Sequence, residues 1–181
     1  MLHKQFSEKV EEVKGKDVLL FFSDLDISKE DVSILKPIYE EISKKDQYNI
    51  VWIPIVEQWT DKMQNKFETL VRDCEMKWYV VPHFSSTLGI KYAEEEWQFK
   101  KRPIIVVLNS QGKVKHQDAF HMIKTWGIDA IPFTVEKEKE LNSREDWFVS
   151  SIINFVDDID IQKRVRNVIF QKSKCLNILI S

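Results

Sequence analysis

Hydrophobic residues are distributed along this chain in two patterns. One is a continuous apolar run, typical of buried strands, and the other is a recurrence every three or four positions, typical of helices. Continuous apolar runs of strand length are typical of strands whose two faces are both covered. A polar turn at Asn109–Gly112, between the last two runs, predicts a hairpin. The predicted strands are Val18–Phe22, Asn49–Ile55, Pro103–Leu108 and Lys113–His116.

Between these runs, apolar residues recur every three or four positions and predict helices. Ser28 and Thr60 are suited to cap two of them, and Pro37 should kink the first because it removes a backbone donor. The segment 78–83 is interpreted as irregular, and the charged stretch Glu136–Glu140 is assigned no element. The predicted helices are Leu2–Val13, Ser28–Lys44, Thr60–Cys74, Leu88–Trp97 and Ala119–Trp126, with helical periodicity at Trp147–Val156 and Val165–Phe170 before a strand-like Leu176–Ile180.

The order of these elements, β-α-β-α-α-β-β-α, predicts a parallel sheet that ends in an antiparallel hairpin and is covered by helices. This is the thioredoxin arrangement, so the predicted fold class is α/β. In that fold a cis proline usually stands immediately before the third strand. Pro103 follows Arg102 at this position, and we therefore predict that Pro103 is the cis proline.

Composition excludes several classes of function. The 27 Lys and Arg residues against 29 Asp and Glu residues give a net charge of −2, so no broad basic field is available for a nucleic-acid backbone. The four glycines are dispersed, which excludes the glycine-rich loops that cradle phosphates. Cys74 and Cys175 form neither a C-x-x-C motif nor a zinc spacing, so we expect no disulfide framework and no zinc site.

No segment of the sequence has the length of a membrane span. The longest apolar runs have five residues, whereas a transmembrane helix needs about 20. The first residues mix charges with single apolar side chains and lack the hydrophobic stretch of a signal peptide. We therefore expect a cytoplasmic protein with reduced thiols.

Three long blocks of the sequence carry a family resemblance. The first runs from Gly15 through the turn Ser23-Asp-Leu-Asp-Ile-Ser28 to Glu40, the second from Tyr48 to Val80, and the third from Glu96 to Thr134. Together they resemble the central thioredoxin-like domain of the plant sieve element occlusion proteins, the phloem P-proteins whose legume members form forisomes. The resemblance covers roughly residues 10–180, and blocks of this length are more specific than a short motif.

The resemblance implies a non-enzymatic structural protein that contributes to filament assembly, phloem development and the occlusion of sieve tubes after wounding. It also implies self-association or co-assembly with other sieve element occlusion proteins, in the cytoplasm of the sieve element and without a cofactor. Family members are much longer, so the chain looks truncated relative to them. On this basis residues 1–140 are the thioredoxin-like domain, and residues 141–181 are a helical extension leading into a truncated C-terminal domain.

The turn after the first predicted strand lacks the chemistry of a thioredoxin-type oxidoreductase. That reaction needs a thiolate at the start of the following helix and a second cysteine three residues further on. Here the turn holds Ser23, Asp24, Asp26 and Ser28, so we interpret it as a degenerate active site with no catalytic residue. Cys74 acting alone is the remaining basis for an alternative function, a thiol oxidoreductase related to nucleoredoxins.

The same turn invites a calcium-binding interpretation, since forisomes respond to calcium. Asp24, Asp26 and Ser28 match positions 1, 3 and 5 of an EF-hand loop, but Lys29 and Leu35 stand where that loop requires glycine and a bidentate glutamate. Helix capping explains these side chains better, and no metal ligand is assigned, since the four histidines also lack metal-binding spacing. A regulatory module that binds calcium weakly, or binds a partner, at an assembly contact stays open as a further alternative.

Overall fold

Five strands form one mixed sheet in the computed structural model, which describes residues 15–82, 87–100 and 102–144. The strands are β1 (Asp17–Ser23), β2 (Tyr48–Pro54), β3 (Tyr79–Val80), β4 (Ile104–Leu108) and β5 (Val114–His116). Their order in the sheet is β3-β2-β1-β4-β5. β2 runs parallel to both β1 and β3, whereas β4 runs antiparallel to both β1 and β5.

Apart from β3, the strands and their connecting helices follow the order that the sequence predicts, and the α/β fold of the thioredoxin type is confirmed. A 3₁₀ turn at Gly127–Ala130 follows the last of the connecting helices, and a further helix, α6, covers residues 135–144. The connecting helices are α1 (Lys29–Ser33), α2 (Leu35–Ser43), α3 (Asp61–Asp73), α4 (Thr87–Glu96) and α5 (Phe120–Trp126).

Strand β1 lies in the middle of the core, and its side chains alternate between the two faces of the sheet. On one face Phe21 stacks on Phe120 of α5, with the ring centroids 6.1 Å apart, and Phe21 pairs with Trp52 of β2. On the opposite face Phe22 packs in a cluster with Ala93 of α4. Burying a large apolar side chain of this kind contributes about 1.5–3 kcal/mol, so β1 holds helices on both sides of the sheet.

The helix predicted from Ser28 to Lys44 is interrupted at Ile34, between α1 and α2. Pro37 explains the position of this break. A proline has no N–H to donate, and its ring collides with the carbonyl four residues earlier, which here is that of Ser33. The kink predicted from Pro37 is therefore confirmed, in the form of a break between two helices.

Two elements differ from the sequence prediction. Residues 79–80, interpreted as irregular, form β3 at the edge of the sheet, and a strand of two residues is too short to show a periodic pattern. The charged stretch Glu136–Glu140 lies within α6. Thr134 caps this helix, because its hydroxyl accepts a hydrogen bond from the Lys137 N–H at 3.2 Å.

Among the described residues the cis peptide bond is Ile131–Pro132, so the prediction that Pro103 is the cis proline is wrong. At Ile131–Pro132 the chain makes a four-residue turn in which the Phe133 N–H donates to the Ala130 carbonyl at 2.7 Å. A cis proline at the third position defines this class of turn. Pro103 instead leads directly into the extended backbone of β4.

The chain divides into two compact units, Met1–Glu138 and Lys139–Ser181. The predicted helix Leu2–Val13 and the predicted elements from Trp147 onward lie outside the described residues. The helical extension at 141–181 and its truncated C-terminal domain therefore stay predictions. No helix in the described ranges is long and apolar enough to cross a membrane.

Candidate functional site

Ser23, the last residue of β1, leads into the turn, and its side chain is in the core. Ser23 is fully buried, and its hydroxyl oxygen accepts a hydrogen bond from Trp52 Nε1 at 2.9 Å. Its carbonyl accepts a second hydrogen bond, from the Ile55 N–H, at 2.8 Å. Ser23 therefore joins the end of β1 to β2, and its hydroxyl faces an indole rather than solvent.

Both aspartates of the turn have partners, Asp24 within the turn and Asp26 on α3. The carboxylate of Asp24 accepts a hydrogen bond from the Asp26 N–H at 2.9 Å, an arrangement that stabilises a turn. The carboxylate of Asp26 forms an ion pair with Lys66 of α3. The hydrogen bond and the charge of Lys66 lower the pKa of Asp26 from its ordinary value. Leu25 and Ile27, which alternate with these acids, are buried and fix the turn to the core.

Ser28 occupies the position expected of a helix cap. Its hydroxyl accepts a hydrogen bond from the Asp31 N–H at 3.0 Å, which satisfies a donor at the start of α1. The Asp31 carboxylate pairs with Lys124 of α5 at 2.6 Å, and this hydrogen bond lowers the pKa of Asp31. The first turn of α1 is therefore occupied by side chains of the protein itself.

A third ion pair joins the first residue of α1 to the end of α3. Lys29 Nζ lies 2.7 Å from Asp73 Oδ2, and the contact raises the pKa of Lys29 and lowers that of Asp73. We call the three ion pairs the ionic clasp, defined by Asp26–Lys66, Lys29–Asp73 and Asp31–Lys124. It ties the turn and α1 to α3 on one side and to α5 on the other.

Cys74 lies directly after α3 and is buried, with 3% of its surface exposed. Burial is the main cause of a raised pKa of its thiol, and it outweighs the opposing charges of Lys29 and Lys36. The C-terminal end of a helix also carries partial negative charge, which disfavours a thiolate. The thiol is therefore held in its protonated, weakly nucleophilic form. Cys175 lies outside the described residues.

The structure brings the turn and Pro103 to the same edge of the sheet. Phe22 of β1 pairs with Ile104 of β4, so the next residues along, Ser23 and Pro103, are neighbours at this edge. Next to Pro103, Arg102 Nη1 binds the carboxylate of Asp118 at 2.8 Å. The turn and Pro103 thus share one edge of the sheet, but Pro103 lacks the predicted cis bond.

The oxygens proposed as calcium ligands have different partners and do not converge. The carboxylate of Asp24 closes the turn, that of Asp26 binds a lysine, and the hydroxyl of Ser28 caps α1. Within residues 15–82, 87–100 and 102–144, no group of three or more His, Cys, Asp or Glu side chains is placed to hold a metal ion.

Sequence reasoning missed the partners that complete the ionic clasp. Lys66, Asp73 and Lys124 lie 40, 44 and 93 residues away from the side chains that they bind. Charged residues on the exposed faces of α3 and α5 carry no pattern that marks them as partners of the turn. The contact arises only when the fold brings the three helices together.

Comparison with known proteins identifies sequence relatives of this chain. No established family model matches the chain. The chain is 34% identical over 152 residues to the protein SIEVE ELEMENT OCCLUSION A of Arabidopsis thaliana, and 35% identical over 163 residues to SIEVE ELEMENT OCCLUSION B of the same plant. This chain is homologous to the sieve element occlusion proteins. The two alignments cover 83% and 81% of this chain.

The homology concerns one part of these relatives. The chain spans 18% of the length of SIEVE ELEMENT OCCLUSION A and 22% of SIEVE ELEMENT OCCLUSION B, about a fifth in each case. A further relative is the probable nucleoredoxin 1 of A. thaliana, which is 29% identical over 140 residues; the alignment covers 76% of this chain and 23% of the nucleoredoxin.

Solved structures support the thioredoxin fold independently of these relatives. Tryparedoxin I from Leishmania major superposes with a TM-score of 0.55 at 17% identity, covering 68% of this chain and 81% of the tryparedoxin. Thioredoxin from Wuchereria bancrofti superposes with a TM-score of 0.52 at 22% identity, covering 77% and 85% respectively. At these identities the likeness concerns the fold alone.

Proposed function

We propose that this sieve element occlusion homologue is a non-enzymatic scaffold that takes part in the filaments of a phloem occlusion protein. It would act in the cytoplasm of the sieve element, in phloem development and in the occlusion of sieve tubes after wounding. The homology to SIEVE ELEMENT OCCLUSION A and B supports the proposal. A fold that elsewhere carries thiol chemistry would here serve as a building block.

One observation carries the non-enzymatic part of the proposal, namely the state of the turn after β1. A thioredoxin-type nucleophile requires a thiolate at the first turn of the helix. Here Ser23 is buried against Trp52, Ser28 caps α1, and the next residue, Lys29, is paired with Asp73. A hydroxyl would also need a neighbouring base to become a nucleophile, and the hydrogen-bond partners of these two hydroxyls are an indole N–H and a backbone N–H.

Large apolar side chains on the surface of the described chain supply contacts for assembly. Tyr92 on α4 is 54% exposed, and Ile128, after α5, is 50% exposed. Tyr92 packs edge-on against Trp97, with the ring centroids 5.2 Å apart, so the scaffold presents an aromatic pair. Aromatic and large apolar side chains are favoured in protein interfaces. We propose that such surfaces mediate self-association or co-assembly with other sieve element occlusion proteins.

Electron microscopy of the purified chain, alone and mixed with full-length SIEVE ELEMENT OCCLUSION B, tests the scaffold proposal. We expect the chain to enter filaments, and we expect Tyr92→Ser or Ile128→Ser to reduce its incorporation. Lys113→Ser, which changes an exposed residue of the β4–β5 hairpin, is the matched control and should leave incorporation unchanged. A folded chain that stays monomeric and never enters filaments would contradict the proposal.

Thiol oxidoreductase activity is the second candidate, and the identity to the probable nucleoredoxin 1 favours it. Among the described residues it would depend on Cys74, the free cysteine there. In an insulin-reduction assay with dithiothreitol, we expect the parent chain and Cys74→Ser to match the rate without protein. Turnover in the parent that disappears in Cys74→Ser would replace the scaffold proposal with this one.

A further inference from the structure

A buried histidine lies between a carboxylate and a backbone N–H at the end of β5. His116 is 7% exposed. Its Nε2 lies 3.1 Å from Glu138 Oε2 on α6, and its Nδ1 accepts a hydrogen bond from the Asp118 N–H at 3.1 Å. Because a backbone N–H can only donate, Nδ1 carries no proton in this arrangement. The ring proton is therefore assigned to Nε2, where it is donated to Glu138.

We propose that His116 is a pH-sensitive latch for the loop formed by residues 117–119. An imidazolium donates from both ring nitrogens, so protonation of Nδ1 would place two donors against each other. The Asp118 N–H would lose its acceptor, while the contact with Glu138 would become an ion pair. The loop is held in place when His116 is neutral and is released when His116 is charged.

The loop matters because it joins β5 to the start of α5. The carboxylate of Asp118 accepts hydrogen bonds from the Ile105 N–H at 3.3 Å and from the Phe120 N–H at 3.1 Å. The same carboxylate binds Arg102, and the Ala119 N–H donates to the Ile105 carbonyl at 2.7 Å. Release of the Asp118 backbone therefore loosens the first turn of α5 and the segment that precedes β4.

The charges around His116 make the response specific to this residue. From α6 it meets Glu138, which follows Glu136 and Lys137 along the helix. From the loop it meets Asp118, whose carboxylate is already paired with Arg102. Its partner on β4 is apolar, Val107. On β5 itself, the neighbouring residue Lys115 pairs with Asp17 of β1 at 2.7 Å. Glu138 thus places a carboxylate in contact with the ring, and the Asp118 N–H opposes protonation of Nδ1.

The latch goes beyond the proposed scaffold function, because it gives the scaffold a response to proton concentration. Imidazole is the ordinary side chain that changes charge between about pH 5 and pH 8. His121, on α5, is exposed and packs edge-on against Trp126 with the ring centroids 6.3 Å apart. His121 is therefore a suitable control, because no hydrogen bond joins it to the loop within the described residues.

Amide hydrogen exchange and ring ¹⁵N chemical shifts of the full chain, measured by NMR from pH 7.5 to pH 5, test the latch. At pH 7.5 the His116 ring should be the Nε2-protonated tautomer. As His116 becomes imidazolium, the Asp118 amide should exchange about three- to tenfold faster after correction for intrinsic rates, the loss expected for one hydrogen bond. Exchange at Asp118 that stays constant while His116 titrates overturns the proposal, and so does a His116 ring that stays neutral at pH 5.

Three variants make the test specific. His116→Gln can accept from the Asp118 N–H and donate to Glu138 but cannot titrate, so it should keep the protection of pH 7.5 and abolish its loss at low pH. Glu138→Gln removes the anion that stabilises the imidazolium, so the change should move to lower pH. His121→Gln should leave the parent behaviour unchanged. If His116→Gln fails to fold, the Glu138→Gln shift still decides, and a parental midpoint in that variant overturns the proposal.

Discussion

Two regions at one edge of the sheet satisfy their polar groups in different ways. The turn after β1 (residues 24–28) and the adjoining α1 do so largely at the surface, through the ionic clasp and a helix cap. The loop after β5 (residues 117–119) does so beneath the surface, through a buried histidine and a carboxylate that accepts two backbone hydrogen bonds. Exposed ion pairs are screened and individually weak, whereas a buried polar group that loses its partner is costly.

This contrast explains how the turn can lack the cysteines of a thioredoxin-type oxidoreductase while the fold stays intact. Asp26 of the turn and Asp31 of α1 meet lysines that lie on the surfaces of α3 and α5, so the identity of these two residues is constrained by charge more than by shape. Ser23 is the exception, because its hydroxyl is part of the core. We therefore expect the effect of a substitution on stability to follow the burial of the side chain and not its distance from the turn.

The largest expected effect comes from Phe21, which lies on β1 just before the turn and stacks on Phe120 just after the loop. Phe21→Ala should lower the free energy of unfolding by about 3–5 kcal/mol, because it leaves a cavity under both regions. Urea denaturation followed by tryptophan fluorescence measures the loss. Val114→Ala, at a half-exposed position of β5, is the control and should change stability by less than about 0.5 kcal/mol. Equal effects of the two substitutions would contradict the comparison.

Ser23→Ala should have the next largest effect. It leaves Trp52 Nε1 buried without an acceptor, which costs about 1–3 kcal/mol of stability. A double-mutant cycle with Trp52→Phe separates the hydrogen bond from the packing, and its coupling energy should be at least about 0.5 kcal/mol. Ser33→Ala, which removes an exposed hydroxyl bonded only to its own helix, is the control. A coupling energy near zero would mean that the Ser23–Trp52 bond does not stabilise the fold.

The ionic clasp should show a smaller effect that depends on pH. Lys124 holds the pKa of Asp31 below its ordinary value, so the pair stabilises the folded state above the unfolded pKa, about 3.9, and this stabilisation is lost as the pH falls through the folded pKa. Asp31→Asn should therefore lower Tm slightly at pH 7 and reduce the further decrease in Tm on acidification to pH 2.5.

Thermal unfolding followed by circular dichroism measures both effects. High salt should narrow the difference in Tm between the parent and Asp31→Asn at pH 7, since exposed pairs are screened. Asp129→Asn, at an exposed aspartate of the 3₁₀ turn, is the control and should keep the parental dependence on pH. A Tm of Asp31→Asn that equals the parental value at every pH would remove the clasp as a stabilising contact.

The smallest expected effect is that of calcium on the turn. Because Asp24 closes the turn and Asp26 binds Lys66, calorimetric titration with calcium should give no binding heat. The titration curves of the parent and of Asp24→Asn/Asp26→Asn should coincide. Binding heat in the parent that disappears in the double variant would assign the turn a calcium site and would support the regulatory alternative.

The sequence allows most of the sheet to be predicted, because β1, β2 and β4 read as largely apolar runs and β1 and β4 are buried on both faces. The capping role of Ser28 is also predictable, since a cap and its helix are adjacent in the chain. The roles of Lys66 and Lys124 are not, because their partners are brought to them only by the packing of helices. The same applies to His116, since nothing in its sequence neighbourhood indicates a contact with Glu138.

The predictions for Pro37 and Pro103 rest on different kinds of evidence, which explains why one is confirmed and the other is wrong. Pro37 acts within its own helix through sterics that span four residues, so the break at Ile34 follows from the sequence. The assignment of the cis bond to Pro103 rests on the position at which thioredoxin folds usually have a cis proline, and not on any property of the residues around Pro103. The bond at Ile131–Pro132 belongs to a turn whose closing hydrogen bond becomes visible only in the folded chain.

The outermost strands of the described sheet, β3 and β5, have two and three residues, whereas β1 and β2 have seven each. Short edge strands expose few unpaired backbone donors and acceptors, so strands of neighbouring molecules cannot readily pair with the edge of the sheet. Copies of this domain that come together through the described residues would therefore meet by side-chain surfaces, and the sheet of each copy would end where it does now. A fibre of such units would grow as a stack of separate folded bodies, not as one continuous ribbon.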